Sequence, residues 1–337
     1  MYHRIIPLAN QAASLFPRQE PWRITRLLLS AHSGVGSRKP LSGSPRNRSS
    51  VTGKPSPVFV MAGPVVVFDF DRTIIDGDSD RWVITEMGLT QLFNELRPTM
   101  PWNSLMDRMM MELHSQGKTS SDIAECLRKA AIHPHIIAAI KSAHALGCEL
   151  RIISDANQFY IETILEHHDV LGYFSQISTN PTFMDEEKRL KIFPFHDLSS
   201  PHGCDLCPPN MCKGLVIDQI RTSASESWRK FIYLGDGNGD FCPTLKLAKG
   251  DHVMPRKNYP LWKRICSNQT LIKAEIHEWS NGEELEEILL HLINTKYTEE
   301  TSRSNSTQLH SSDHKVQTKP EGEMDYIALG NGNNLGH

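Results

Sequence analysis

Val65-Val66-Val67-Phe68-Asp69-Phe70-Asp71-Arg72-Thr73 decides the fold. Its first four residues are apolar and mostly β-branched, the composition of a strand buried on both faces of a parallel sheet. Two aspartates at the end of such a strand need a reason, because charge beside a core is costly unless something compensates it. Side chains alternate along a strand, so Asp69 and Asp71 start on the same side and can converge just past its C-terminal end. Open α/β sheets place their ligands at that edge.

Outward from this strand the same grammar recurs. Ile74-Ile75-Asp76-Gly77-Asp78-Ser79-Asp80 leaves through an acidic, glycine-containing turn, and helical spacing follows. Met106, Met109, Met110 and Leu113 fall at i, i+3, i+4 and i+7, and Thr119 with Asp122 has capping-box spacing. Residues 80–130 therefore read as a small helical cap over the strand ends, with the methionines as its core. His133-Pro134 opens the next helix and Gly147 ends it. Cys148 to Ile153 is a second parallel strand, running into Ser154-Asp155-Ala156-Asn157 and a helix from Phe159 to His167. Ser154 is thus expected at a strand end meeting a helix N-terminus, either as a phosphate contact or as an ordinary N-cap.

Short strands are expected at 175–178 and 190–193, after which Cys212-Lys213-Gly214 opens a helix. A lysine in the first helical turn opposes the macrodipole by about 0.3–1 kcal/mol, a cost that makes sense if an anion lies alongside. Phe231 to Leu234 is another buried strand and ends in Gly235-Asp236-Gly237-Asn238-Gly239-Asp240. That loop lacks the later glutamate of an EF-hand and follows a strand rather than a helix, which argues against a calcium loop. His252-Val253-Met254 and a helix over 283–293 complete the pattern.

Strand-Asp-x-Asp, strand-Ser, Lys at a helix start and strand-Gly-Asp-x-x-x-Asp, in this order, resemble the four motifs of the haloacid dehalogenase superfamily. The resemblance spans nearly the whole expected folded unit and implies an α/β, Rossmann-like parallel sheet flanked by helices, with the helical cap inserted after the first strand. It implies an Asp69 nucleophile that forms an aspartyl-phosphate, and an Asp71 that protonates the leaving group and later activates water. Ser154 and Lys213 would hold phosphoryl oxygens. Mg2+ would bind Asp69, the Asp71 carbonyl and Asp236, with Asp240 a further ligand or a supporting partner. Asp76 to Asp80, Ser154 to Asn157 and Asn210-Met211-Cys212-Lys213-Gly214 further resemble the phosphoethanolamine/phosphocholine phosphatase branch, whose plant members act on thiamine monophosphate or pyrophosphate. In that branch, acids matching Asp80 and Asp155 meet a cationic head group. Extra carboxylates would repel a phosphate unless the substrate's other end were positive. The implied substrate is a small phosphomonoester with a cationic group: phosphocholine or phosphoethanolamine first, thiamine monophosphate or pyrophosphate next. A non-catalytic binding protein on the same scaffold is the rival, and the intact motif residues speak against it.

Composition bounds the rest. A formal net charge of −3 over 337 residues leaves no electrostatic footprint for nucleic acid, and no apolar stretch approaches the roughly 18 residues of a membrane span. Residues 1–62 form a basic, serine-rich extension that reads as disordered; residues 1–60 have the composition of a transit peptide, and Met61 would serve equally as a start. The expected location is cytoplasmic, or mitochondrial or plastid if that leader targets. Residues 297–337 lose all periodicity and read as a disordered tail, leaving 63–296 as the phosphatase domain. Seven cysteines are an odd number without a secretory signal, so no disulfide framework is expected. Cys204, Cys207 and Cys212 share one loop and could hold structural Zn2+ with His202 or His196 as fourth ligand, or pack locally. Cys126, Cys148, Cys242 and Cys266 read as ordinary thiols.

Overall fold

The computed structural model describes residues 63–200, 202–223 and 229–309. The leader, and the tail from 310 onward, lie outside the described residues. From the N-terminal side, β1 (Val65–Phe68) is followed by the helices α1 (Ser79–Glu86), α2 (Thr90–Leu96), α3 (Trp102–Ser115) and α4 (Ser120–Leu127). Next come α5 (Pro134–Ala145), β2 (Glu149–Asn157), α6 (Gln158–His167), β3 (Phe174–Asn180), and the short strands β4 (Thr182–Met184) and β5 (Leu190–Ile192). The chain then continues through α7 (Lys213–Ser223), β6 (Phe231–Gly235), α8 (Phe241–Lys246), β7 (His252–Pro255), α9 (Pro260–Ser267), β8 (Glu275–Ile276) and α10 (Gly282–Leu309). α10 runs past the boundary at 296 expected from the loss of periodicity.

Six strands form one sheet in the order β3-β2-β1-β6-β7-β8, and every pairing is parallel. β1 lies at the centre, where a strand must be apolar on both faces. Val66 and Phe68 enter the core shared with α5, α6 and α10, while Val65 and Val67 enter the core shared with α7 and α9. The four cap helices contribute to the first core: Met106, Met109, Met110 and Leu113 are all buried, and Tyr160 donates its hydroxyl hydrogen to the Met110 sulfur at 3.3 Å. Local chemistry sets the helix ends. Thr119 and Asp122 close a capping box at α4, Pro134 occupies the first turn of α5, and Gly147 takes φ 80° just after it.

Two features depart from the expected pattern. β2 continues through Ser154 to Asn157, with a register irregularity against β3 between Ile153 and Asn157, and the cap of α6 is Asn157, whose side chain accepts from Tyr160 N. Ser154 is therefore not the N-cap. The chain between β3 and α7 also builds an antiparallel β4–β5 hairpin with the cysteine loop behind it, a second insertion beside the cap. Among the described residues, no helix is long and apolar enough to cross a membrane.

Candidate active site

Register places the acidic motifs together. Phe68 of β1 pairs with Ile152 of β2 on one side and Leu234 of β6 on the other, so Asp69, Ser154 and Asp236 lie side by side across three neighbouring strands. A cavity of about 680 Å³ opens there, lined by Asp69, Asp71, Asp80, Trp102, Asp155, Lys213 and Asp236 among others.

Asp69 is 5% exposed. One carboxylate oxygen accepts from Phe70 N at 2.7 Å and the other lies 2.9 Å from Lys213 Nζ. Burial raises its pKa well above the usual carboxylate range, as does the nearby Asp240, and Lys213 only partly offsets them. Lys213 opens α7 as its spacing implied and also reaches Asp240 Oδ1 at 2.9 Å. Burial works against its ammonium, but Asp240 and Asp69 together outweigh that and hold it charged. The anions that justify a cation in this helical turn are thus carboxylates of the site itself.

Asp240 is saturated. Oδ1 accepts from Lys213 Nζ and from the Tyr233 hydroxyl at 2.6 Å; Oδ2 accepts from Asp236 N at 3.1 Å and Gly237 N at 2.8 Å. Each carboxylate oxygen has two lone-pair directions, so all four are used. Asp240 shapes the loop, and Gly235 lets it: a Cβ there would stand 2.6 Å from the Asp240 carboxylate. Asp236 contrasts with it. Among the described residues no hydrogen bond reaches the Asp236 carboxylate, and burial followed by Asp240 pushes its pKa up to about 7. The carboxylates of Asp69, Asp236 and Asp240 each place an oxygen within 4.8 Å of the others; with Asp240 saturated, Asp69 and Asp236 are the oxygen donors of the kind hard divalent cations choose.

Asp71 is partly exposed, and one of its oxygens accepts from Ser79 N at 2.9 Å. Burial, then Asp78 and Asp80, raise its pKa well above the usual range. The turn carrying it is held by a residue that spacing could not reveal. Arg256, at the end of β7, donates to the Arg72 carbonyl and to Asp76 Oδ1, each at 2.7 Å, with its guanidinium over the rings of Tyr259 and Trp279. Arg72 takes φ 56°, a strained setting for a residue with a side chain, and its own guanidinium pairs with Asp78 at 2.8 Å. The only trace of Arg256 in the sequence is its place after a strand, at the same sheet edge.

Asp80 is only 5% exposed, so it is not a solvated surface acid. Trp102 Nε1 donates to its Oδ2 at 2.6 Å, while burial and Asp78 push its pKa up to about 7. Asp155 is exposed on the cavity wall. Ser154 is fully buried, its Oγ accepting from Ala156 N at 3.2 Å, and it is Asp155 and Ala156, not Ser154, that line the cavity. Pro194, Leu198, Pro208 and Pro209 complete one wall, a contribution of the second insertion that the sequence did not disclose.

The expected zinc ligands are only partly brought together. The sulfurs of Cys204, Cys207 and Cys212 do cluster, but the fourth member is Cys242, read above as an ordinary thiol. His202 is turned elsewhere: Nδ1 accepts from Cys204 N at 3.1 Å and Nε2 meets the Pro208 carbonyl at 3.0 Å. His196 packs against the His202 ring.

Comparison with known proteins gives concordant matches. A family profile described as "Putative Phosphatase" matches residues 64–293. A thiamine phosphate phosphatase-like protein of Arabidopsis thaliana is 62% identical over 245 residues, covering 72% of this chain and 100% of that one. Inorganic pyrophosphatase 2 of the same plant is 55% identical over 255 residues, 75% of this chain and 91% of its own. The pyridoxal phosphate phosphatase PHOSPHO2 of Bos taurus is 30% identical over 242 residues, 68% of this chain and 98% of its own.

Proposed function

Since the chain belongs to the PHOSPHO-like family of haloacid dehalogenase phosphatases and is itself a phosphatase, we propose that it hydrolyses a cationic organic phosphomonoester through a phosphorylated Asp69. The observation that carries this reading is the pairing of Asp69 with Lys213 at 2.9 Å, in a cavity that is also lined by the buried Asp80 and its partner Trp102.

In the first half-reaction an Asp69 carboxylate oxygen attacks phosphorus, and the ester oxygen leaves with a proton from Asp71. The raised pKa of Asp71 leaves it a proton to give. In the second half-reaction Asp71 takes a proton from water as that water attacks the aspartyl-phosphate, releasing inorganic phosphate, freeing the Asp69 carboxylate and returning Asp71 to its protonated form. Lys213 neutralises the phosphoryl oxygens and Asp240 positions Lys213. Ser154 Oγ, which accepts from Ala156 N, holds the strand end that presents Asp155 and Ala156 to the cavity. Mg2+, held by Asp69, Asp236 and the Asp71 carbonyl, would supply Lewis-acid stabilisation of charge on the transferring group.

The unpaired Asp236 gives the metal a signature apart from turnover. With a pKa near 7 in the fold against an ordinary 3.8, this group contributes stability that is full below about pH 4 and lost as pH rises through about 7. A divalent cation replaces the missing proton. Mg2+ at ten times its Kd should therefore add about 1.4 kcal/mol, roughly 2–4 °C in Tm, at pH 8, and almost nothing at pH 5. Equal shifts at both pH values, or none at pH 8, would count against the ligand set.

Substrate choice is tested at Asp80. A cavity of about 680 Å³ with a hydrogen-bonded acid and indole in its lining suits a ring-bearing cation better than a small amine, which moves thiamine monophosphate ahead of phosphocholine and phosphoethanolamine. The relative with 62% identity carries a matching name. Asp80→Asn should raise KM for thiamine monophosphate about tenfold, the worth of roughly 1.4 kcal/mol, and leave p-nitrophenyl phosphate within about twofold. Because the Asp80 pKa lies near 7, the wild-type KM for the cationic substrate should climb as pH falls below 7, relative to the uncharged aryl ester. Equal losses on both esters would assign Asp80 a structural role. Inorganic pyrophosphate is a second reading, favoured by the 55% identical relative named for it. Under it, pyrophosphate outpaces every organic ester and Asp80→Asn does not weaken its binding.

A further inference from the structure

Four thiols, three from one loop and one from α8, meet beside the start of α7. Cys204 and Cys207 lie on the loop between β5 and α7, Cys212 immediately precedes α7, and Cys242 belongs to α8. Their sulfurs all lie within 4.8 Å of one another, and Cys242 Sγ is 3.7 Å from both Cys204 Sγ and Cys212 Sγ. Bonded sulfurs stand about 2.0 Å apart, so these are free thiols in contact. Thiolates about 2.3 Å from a tetrahedral zinc lie about 3.8 Å from each other, which the two Cys242 contacts at 3.7 Å match, and the remaining pairs fall within 4.8 Å.

We propose that Cys204, Cys207, Cys212 and Cys242 bind one structural Zn2+ that fastens the lysine-bearing helix to the Asp240 loop. All-sulfur donors in a closed tetrahedral set select zinc or iron and leave no open position for chemistry. Cys212 and Cys242 are 1% and 3% exposed, and the local backbone is shaped around them. Gly214 is one such adaptation, because a Cβ there would stand 2.5 Å from Cys242 Sγ. The two flanking nitrogens of His202 brace the Cys204–Cys207 turn from outside, on Cys204 N and the Pro208 carbonyl, as outer partners commonly brace a metal loop.

The placement gives the metal a positioning role. Cys212 is the residue before Lys213, and Cys242 is two residues beyond Asp240. The zinc would therefore span the Lys213–Asp240 pair, whose atoms are 2.9 Å apart. It would also anchor Pro208, Pro209 and Asn210, which line the cavity.

Metal analysis of the full chain, purified without added metal, tests this independently of any phosphatase activity. About one zinc per chain is expected. Cys242→Ser should cut zinc content at least about tenfold, while Asp236→Asn, on the oxygen-ligand side, should keep it. Should Cys242→Ser not fold, the wild-type protein still decides. Mercurial titration of its thiols should release zinc in step with modification, and Co2+ exchanged into the site should show sulfur-to-cobalt charge transfer with the intense d–d bands of a tetrahedral thiolate centre. Zinc-free wild type with freely reactive thiols, iron in place of zinc, or full zinc retained in Cys242→Ser would each overturn the assignment.

Discussion

Asp69→Asn should lower kcat by at least about 10³-fold on every phosphorylated substrate, with Tm shifted by only a few degrees. The activity loss follows from replacing the attacking oxygen with an amide that cannot carry the phosphoryl group. The modest stability change follows from two opposing effects. One end of the amide must present an N–H to a donor, Phe70 N or Lys213 Nζ, which costs about 1–3 kcal/mol. Against this, the substitution removes a buried carboxylate whose charge is disfavoured first by burial and then by Asp240. Circular dichroism melts beside steady-state assays measure both. A variant retaining a tenth of wild-type kcat would exclude Asp69 as nucleophile.

Lys213→Met should have the larger effect on the fold. The residue is 3% exposed, and its ammonium is shared between Asp69 and Asp240 at 2.9 Å each. Its removal leaves two buried carboxylates facing each other without a counter-charge. Breaking a buried ion pair in this way costs roughly 3–5 kcal/mol, a fall on the order of 10 °C for a domain of this size, and kcat should drop about 10²–10³-fold. The sign of the pH dependence discriminates. Protonation relieves the stranded carboxylates, so the gap between wild type and variant should narrow on going from pH 8 to pH 5. Denaturant melts at the two pH values would show it, and a gap that widens at low pH would contradict the proposed pairing. Lys213→Arg should not rescue, because a planar guanidinium does not place a compact point charge between Asp69 and Asp240 as the ammonium does.

Much of this was legible before any coordinates, and for a physical reason. A central parallel strand must be apolar on both faces, so Val65 to Phe68 and Phe231 to Leu234 announce themselves, and polar residues at their ends stand out as site residues. Lys213 was visible because it opposes a helix dipole. What stayed hidden depends on residues far apart in sequence whose local settings are unremarkable. Arg256 clamps the Arg72 turn across 184 positions, and Trp102 reaches Asp80 from another helix of the cap. Cys242 looks like any core thiol until α8 packs on α7. The cap of α6 failed differently. Ser154 and Asn157 are both good N-cap residues, and continued pairing of β2 with β3, as far as Asn157 with Asn180, decided between them.

The claim on which the rest depends is that phosphate passes through Asp69. Borohydride quenching during steady turnover, followed by peptide mapping, reads it directly, because reduction converts an acyl phosphate on aspartate to homoserine. Homoserine in place of Asp69, at that position alone and absent without substrate, is the expected result. Its appearance at Asp71 instead, or unmodified Asp69 in enzyme demonstrably turning over, would contradict the account.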